Sequence, residues 1–208
     1  MDLINNTYIL SLLKNERSSF VRDNLIKFPS LKVFPSVDGS NESEVLSEFS
    51  NLNLGFTSLF IGPKHNHNTY GALACWITKI KFLKFQISQE LECCIFLEDD
   101  VDLKINFFEE LYARLSGRLD LLNEKVNIIR LSEWGEGYIT SLDSAKRIIN
   151  LVETDGVINN IDNQLRQNCG QELYIKLKKG FSLLVSPNQG DILKTKPLDK
   201  KFYEKLNK

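Results

Sequence analysis

The densest chemistry in the chain is the run Glu98-Asp99-Asp100-Val101-Asp102, four carboxylates within five positions. Such groups repel one another unless a cation neutralises them. Hard oxygen ligands of this kind suit Mg2+ or Mn2+, which keep positions open for phosphate oxygens. Asp100 and Asp102 have D-x-D spacing, so in an extended chain both point to the same side. A cation held there would bridge a diphosphate and stabilise its charge as it leaves. The plain alternative is a solvated acidic turn. The preceding residues weigh against it, because Cys93-Cys94-Ile95-Phe96-Leu97 reads as a strand covered on both faces.

The other elements follow from period and punctuation. Tyr8 to Leu13 and Leu31 to Pro35 are short apolar runs, and a charged stretch from Asn15 to Asn24 with helical spacing lies between them. Ser40 to Phe49 reads as a helix, with Glu44 three residues after Asn41. Leu54 to Ile61 is a further strand candidate. From Tyr70 to about Gln86 the residues Leu73, Trp76, Ile77, Ile80 and Leu83 recur at helical spacing, with Asn68 or Thr69 as cap. Phe107 to Leu119 and Leu142 to Val152 read as helices. Val126 to Leu131, Gly137 to Thr140 and Phe181 to Val185 read as strands. This alternation predicts an α/β sandwich with a mostly parallel sheet, whose ligands sit outside the carboxyl ends of the strands.

Composition bounds the partners. The 208 residues are 42% hydrophobic and 25% charged, as in a soluble globular protein of one large domain or at most two small ones. Lys+Arg number 26 against 27 Asp+Glu, so the chain lacks the basic surplus of a nucleic-acid binder. No segment reaches the ~18–20 apolar residues of a membrane span. The N-terminal apolar stretch, cut short by Lys14, lacks the features of a signal peptide. Cys93 and Cys94, adjacent in a strand, point to opposite faces. With Cys75 and Cys169 they read as free thiols in a reducing, cytoplasmic setting.

The motifs resemble a known family. Leu97-Glu98-Asp99-Asp100-Val101 is similar to the LEDD motif of glycosyltransferase family 25, the lipopolysaccharide and procollagen glycosyltransferases. Other stretches fall in the family's order: Tyr8 to Leu12 with Arg17, Phe34 to Gly39, Tyr70 to Trp76, Gly137 to Ser141 with Ala145-Lys146, and Ile161-Asp162. The likeness covers roughly residues 8–165 and extends to compact glycosyltransferases of large algal viruses. The family's Ser-His pair is absent around Ile77-Thr78.

The resemblance implies a GT-A fold, a Rossmann-like nucleotide half at about 1–103 joined to an acceptor half at about 104–208. It implies a nucleotide-diphosphate sugar donor, UDP-sugars among the candidates, and a glycan or glycoprotein acceptor. Asp100 and Asp102 would hold Mn2+ or Mg2+, with Asp99 beside the donor. Leu10 and Ser11 would offer backbone groups to a nucleobase, and Arg17 would reach a phosphate. Asp38 would accept from base or ribose, against the plain reading of a turn aspartate. Gly71, near a helix start, would let an anion approach the N–H groups. A viral enzyme of this kind would work in the host cytoplasm.

An acceptor hydroxyl needs a base in an inverting enzyme, and a retaining one needs a nucleophile or stabilising carboxylate. Asp162 is the family match, and Glu133 follows a strand end; Glu136 and Asp143 stand behind them. His65 and His67 read as a surface loop, Trp76 as core, and Trp134 as evenly balanced between stacking and packing. The competing functions are a metal-dependent phosphodiesterase or nuclease and a non-catalytic sugar-nucleotide-binding module.

Overall fold

The computed structural model describes residues 3–13, 17–59, 68–124, 127–131, 135–169, 172–174, 184–185 and 195–206. Glu133, Trp134, His65 and His67 lie outside them, as does the side chain of Arg17.

Among the described residues the centre is a six-stranded sheet in the order β2-β1-β3-β6-β5-β7. β1 (Thr7–Ser11), β2 (Lys32–Pro35) and β3 (Cys93–Glu98) are parallel neighbours, with Leu10 level with Glu98 and Phe34. β6 (Gly137–Ser141) runs antiparallel to both β3 and β5 (Ile128–Arg130), and β7 (Glu172–Tyr174) is parallel to β5. The sheet is therefore mixed, where the strand–helix alternation predicted a mostly parallel one. The cause is chain length. Residues 131–136 join β5 to β6, too few for the roughly dozen residues of a parallel crossover, so β6 turns back beside β5.

Each face of the sheet has its own core. On one face Tyr8, Leu10, Cys94, Phe96 and Tyr138 pack beneath α3 (Tyr70–Ser88), α6 (Leu142–Asp155) and α2 (Glu42–Leu52). On the other, Ile9, Cys93, Ile95 and Leu97 meet α1 (Arg17–Lys27), α4 (Phe107–Leu115) and the short α5 (Leu121–Glu124). The period of two in β3 thus sends the adjacent cysteines to opposite cores, and all four cysteines are free thiols.

Local chemistry sets the helix starts. The Thr69 side chain accepts from Ala72 N–H at the head of α3, and Asn41 accepts from Glu44 N–H at the head of α2. Ser141 and Ser144 cap α6 reciprocally. α4 stops at Leu115 rather than Leu119, before Gly117 with φ of 70°. Leu54–Leu59 forms no strand and makes only a bridge between Phe56 and Val157. β4 (Val101–Asp102) pairs with β8 (Leu184–Val185) outside the main sheet. The chain goes on to the short α7 (Ile161–Asn163), which runs into a widened turn at Gln164–Asn168, and ends its described part in α8 (Lys200–Leu206). Among the described residues no helix is long and apolar enough to cross a membrane.

Candidate functional site

A cavity of about 270 Å3 opens at the carboxyl ends of β1, β2 and β3, beside the start of α3. Four of the residues singled out above line it: Leu10, Asp38, Gly71 and Asp99. They come from four separate segments, and the parallel register of the strands brings them together. Ser11 supports the rim from behind. Its hydroxyl donates to Asp99 Oδ2 at 2.9 Å and accepts from Leu13 N–H at 2.9 Å. Leu12, Val37 and Ala74 supply apolar wall, and Ser36 and Ser40 supply hydroxyls.

The start of α3 is tied down by a strap from later in the chain. Gly71 N–H donates to Thr195 Oγ1 at 2.8 Å, and Tyr70 N–H donates to Lys196 O at 3.0 Å. Tyr70 Oη donates to Asp199 Oδ1 at 2.8 Å, and Asp199 is held at about 2 by that bond first and by Lys196. Thr195 also lines the cavity. The N–H of Gly71, expected to face an anion, is therefore already met by a hydroxyl at the cavity wall.

Asp38 both lines the cavity and shapes its own turn. Its Oδ1 accepts from Ser40 N–H at 2.9 Å and from Ser40 Oγ at 2.6 Å. The plain reading of a turn aspartate therefore holds, in a residue that also borders the cavity.

The acidic run divides among different settings. Glu98 faces α3 and lines the cavity, together with Cys75 and Lys79. Asp99 takes the Ser11 bond, and Asp100 is buried. Asp102 accepts from Lys27 Nζ at 2.5 Å and Lys104 Nζ at 2.8 Å. These bonds overcome its desolvation and hold its carboxyl below the usual range. Neither Asp100 nor Asp102 is among the residues that line the cavity. Among the described residues no group of three or more His, Cys, Asp or Glu side chains converges as a metal site.

Sequence reasoning passed over the most unusual residue, Lys79. Its side chain is 1% exposed, yet it carries an ammonium. The Nζ lies 2.7 Å from Glu98 Oε1 and 2.7 Å from Asp162 Oδ1, and donates to Gly135 O at 3.4 Å. It also sits 5.3 Å from the centre of the Tyr138 ring. Tyr138 Oη donates to the same Asp162 Oδ1 at 2.9 Å. Burial lowers the Lys79 affinity for its proton, but the two carboxylates outweigh it and the ammonium stays charged. Burial pushes Glu98 up to about 7, with Lys79 opposing and Asp162 and Asp100 adding. The signal was present: Lys79 follows Trp76 by three and precedes Leu83 by four, a charge on the apolar stripe of α3.

Asp162, named as the acceptor-side carboxylate, stands in this cluster at α7. Glu136 is buried near the start of β6, and Asp143 lies in the first turn of α6. Trp76 is fully buried and its Nε1 donates to Gln164 Oε1 at 3.1 Å, so it is core.

Comparison with known proteins adds a distant likeness. No family model matches the chain. No curated protein matches it either. A solved structure described as a glycosyltransferase involved in the glycosylation of the major capsid of PBCV-1 aligns with 82% of this chain and 80% of its own. The identity is 11% and the TM-score 0.39. The family 25 resemblance thus stands on the motifs alone.

Proposed function

We propose that this protein is a glycosyltransferase that takes a sugar from a nucleotide-diphosphate donor and passes it to a glycan or glycoprotein acceptor. One observation carries the reading: Leu10, Asp38, Gly71 and Asp99, scattered in sequence, line one cavity at the carboxyl ends of parallel strands. That is where open α/β sheets bind nucleotides.

In this reading the apolar wall of Leu10, Leu12 and Val37 takes the nucleobase, and Asp38 accepts from base or ribose. The diphosphate lies toward Asp99, beside the head of α3, whose first N–H groups are already met by Lys196, Thr195 and Thr69. Asp99 and Asp100 would supply hard oxygen donors for Mg2+ or Mn2+. Such a cation is commonly held by one or two carboxylates plus substrate phosphates, so no third protein ligand is needed. Asp102, already shared by two lysines, is the least suited of the acidic run to join them. When bound, the cation supplies charge stabilisation to the departing diphosphate. The chain's own residues do the rest. Ser11 orients Asp99, Lys79 and Tyr138 orient Asp162, and Asp162 meets the acceptor hydroxyl.

A screen of nucleotide sugars for slow hydrolysis, with and without Mn2+, tests the proposal. Turnover of at least one donor is expected, with Asp100→Asn lowering it at least about tenfold, or ~1.4 kcal/mol in the barrier. Nucleoside diphosphate binding with no turnover of any donor would instead indicate a binding module. Cleavage of phosphodiesters would indicate the hydrolase reading.

A further inference from the structure

We propose that Lys79 is the positioning residue of this site, a buried ammonium that ties the donor-side carboxylate Glu98 to the acceptor-side carboxylate Asp162. The inference rests on the transferase reading and adds to it a residue that the acidic motif does not contain.

The geometry is saturated. A lysine ammonium has three donors and no acceptor. Those of Lys79 are matched by Glu98 Oε1, Asp162 Oδ1 and Gly135 O. Its entire bonding capacity therefore spans from the end of β3 to α7, joining positions 79, 98 and 162. The same Asp162 Oδ1 also accepts from Tyr138 Oη. Both bonds fall on one oxygen, which fixes the rotation of the carboxylate. Among the described residues none falls on Oδ2, the oxygen left for an acceptor hydroxyl. Gly135 completes the enclosure with φ of 101°, and a Cβ built there would lie 2.7 Å from Asp162 Oδ1.

Stability does not require such an arrangement. Buried ion triads are often replaced by well-packed apolar side chains at no loss, whereas removing one partner leaves an uncompensated charge. Position 79 lies on the buried stripe of α3, where an apolar residue would pack. What the ammonium adds is a fixed relation between two carboxylates, one of which lines the cavity. Functional groups held by locked partners act with the orientation that a reaction needs.

Three variants test this. Lys79→Met keeps most of the stem and removes the charge. Lys79→Arg keeps the charge. Lys79→Met combined with Glu98→Gln and Asp162→Asn removes the whole triad. With the best donor from the hydrolysis screen, Lys79→Met should lower kcat at least tenfold while donor KM stays within about threefold. Lys79→Arg should recover part of kcat. The triple variant should melt above Lys79→Met yet remain inactive, and it keeps the test alive if Lys79→Met alone fails to fold. A folded Lys79→Met with kcat within twofold of the unaltered protein would overturn the proposal. So would a triple variant that melts no higher than Lys79→Met, since the carboxylates would then not depend on the ammonium. If the unaltered protein turns over no donor, the transferase reading and the catalytic role of the bridge fall together. The melting comparison still reports separately whether the bridge exists.

Discussion

Gly39→Ala is the sharpest test of how the cavity is built. Gly39 and Gly71 both line it, and their backbones meet at its wall. A Cβ at position 39 would lie 2.5 Å from Gly71 Cα and 3.1 Å from Gly71 N. Carbon atoms in contact sit about 3.5–4.0 Å apart, so the overlap is about 1 Å or more. Neither partner is the end of a flexible side chain. Gly71 belongs to α3 and is held by the Thr195 bond, so relief must come from moving the β2–α2 connection off the helix. Overpacking of this kind costs ~1–3 kcal/mol, and backbone against backbone belongs at the upper end. For a chain of this length ~3 kcal/mol corresponds to a fall in Tm of about 6–12 °C. The same movement carries Asp38 away from Leu10, so nucleoside diphosphate binding should weaken as well. Gly55→Ala is the control, since a Cβ there meets nothing within 4 Å. It should shift Tm by no more than about 2 °C, as exposed substitutions usually do. Thermal denaturation with calorimetric titration of nucleoside diphosphates reads both effects. A Gly39→Ala protein melting within 1–2 °C (roughly the size of an exposed substitution) and binding normally would refute the reasoning.

Other outcomes follow from single contacts. Ser11→Ala removes a hydroxyl that both donates to Asp99 and accepts from Leu13, so it should cost ~1–2 kcal/mol by urea denaturation and weaken nucleotide binding. Asp102→Asn should lower stability by ~1 kcal/mol at neutral pH, because two lysines share that half-buried carboxylate. Its carboxyl is held below the usual range, so this stabilisation is present above the unfolded-state value and is lost as pH falls through the folded one. The Tm difference between Asp102→Asn and the unaltered protein should therefore close in strong acid. Glu98 carries the opposite sign. Its carboxyl, raised by burial to about 7, confers stability that is complete below the ordinary value of 4.5 and lost as pH rises through 7. In the absence of divalent cations, Glu98→Gln should flatten the decline in Tm between those two pH values, and an unchanged slope would contradict the assignment.

Much of this architecture was legible because it is local. Five consecutive apolar residues in β3 announce a strand covered on both faces, and the cysteine pair reads out the two cores. Thr69 and Asn41 mark helix starts through bonds to residues three positions inward. The direction of β6 is set by a length, residues 131–136, that the strand–helix pattern does not weigh. The residues of the cavity were legible as separate motifs, since each sits at the end of its strand or the head of its helix. The partners of the carboxylates were not. Lys27 lies 75 positions from Asp102, and Lys79 lies 83 positions from Asp162. Contacts over such separations are made by the fold, so D-x-D spacing alone could not show that Asp102 is met by lysines. Nor could it show that Glu98 turns toward α3.

Whether the cavity beside Leu10, Asp38, Gly71 and Asp99 holds the donor nucleotide is decided by residue-resolved NMR. Isotope-labelled protein is titrated with nucleoside diphosphates in the presence of Mg2+. Saturable shifts of the backbone signals of those four residues are expected with at least one nucleotide. Saturable shifts confined to another region, such as the groove between Phe49 and Phe202, or no shifts with any nucleoside diphosphate, would contradict that placement.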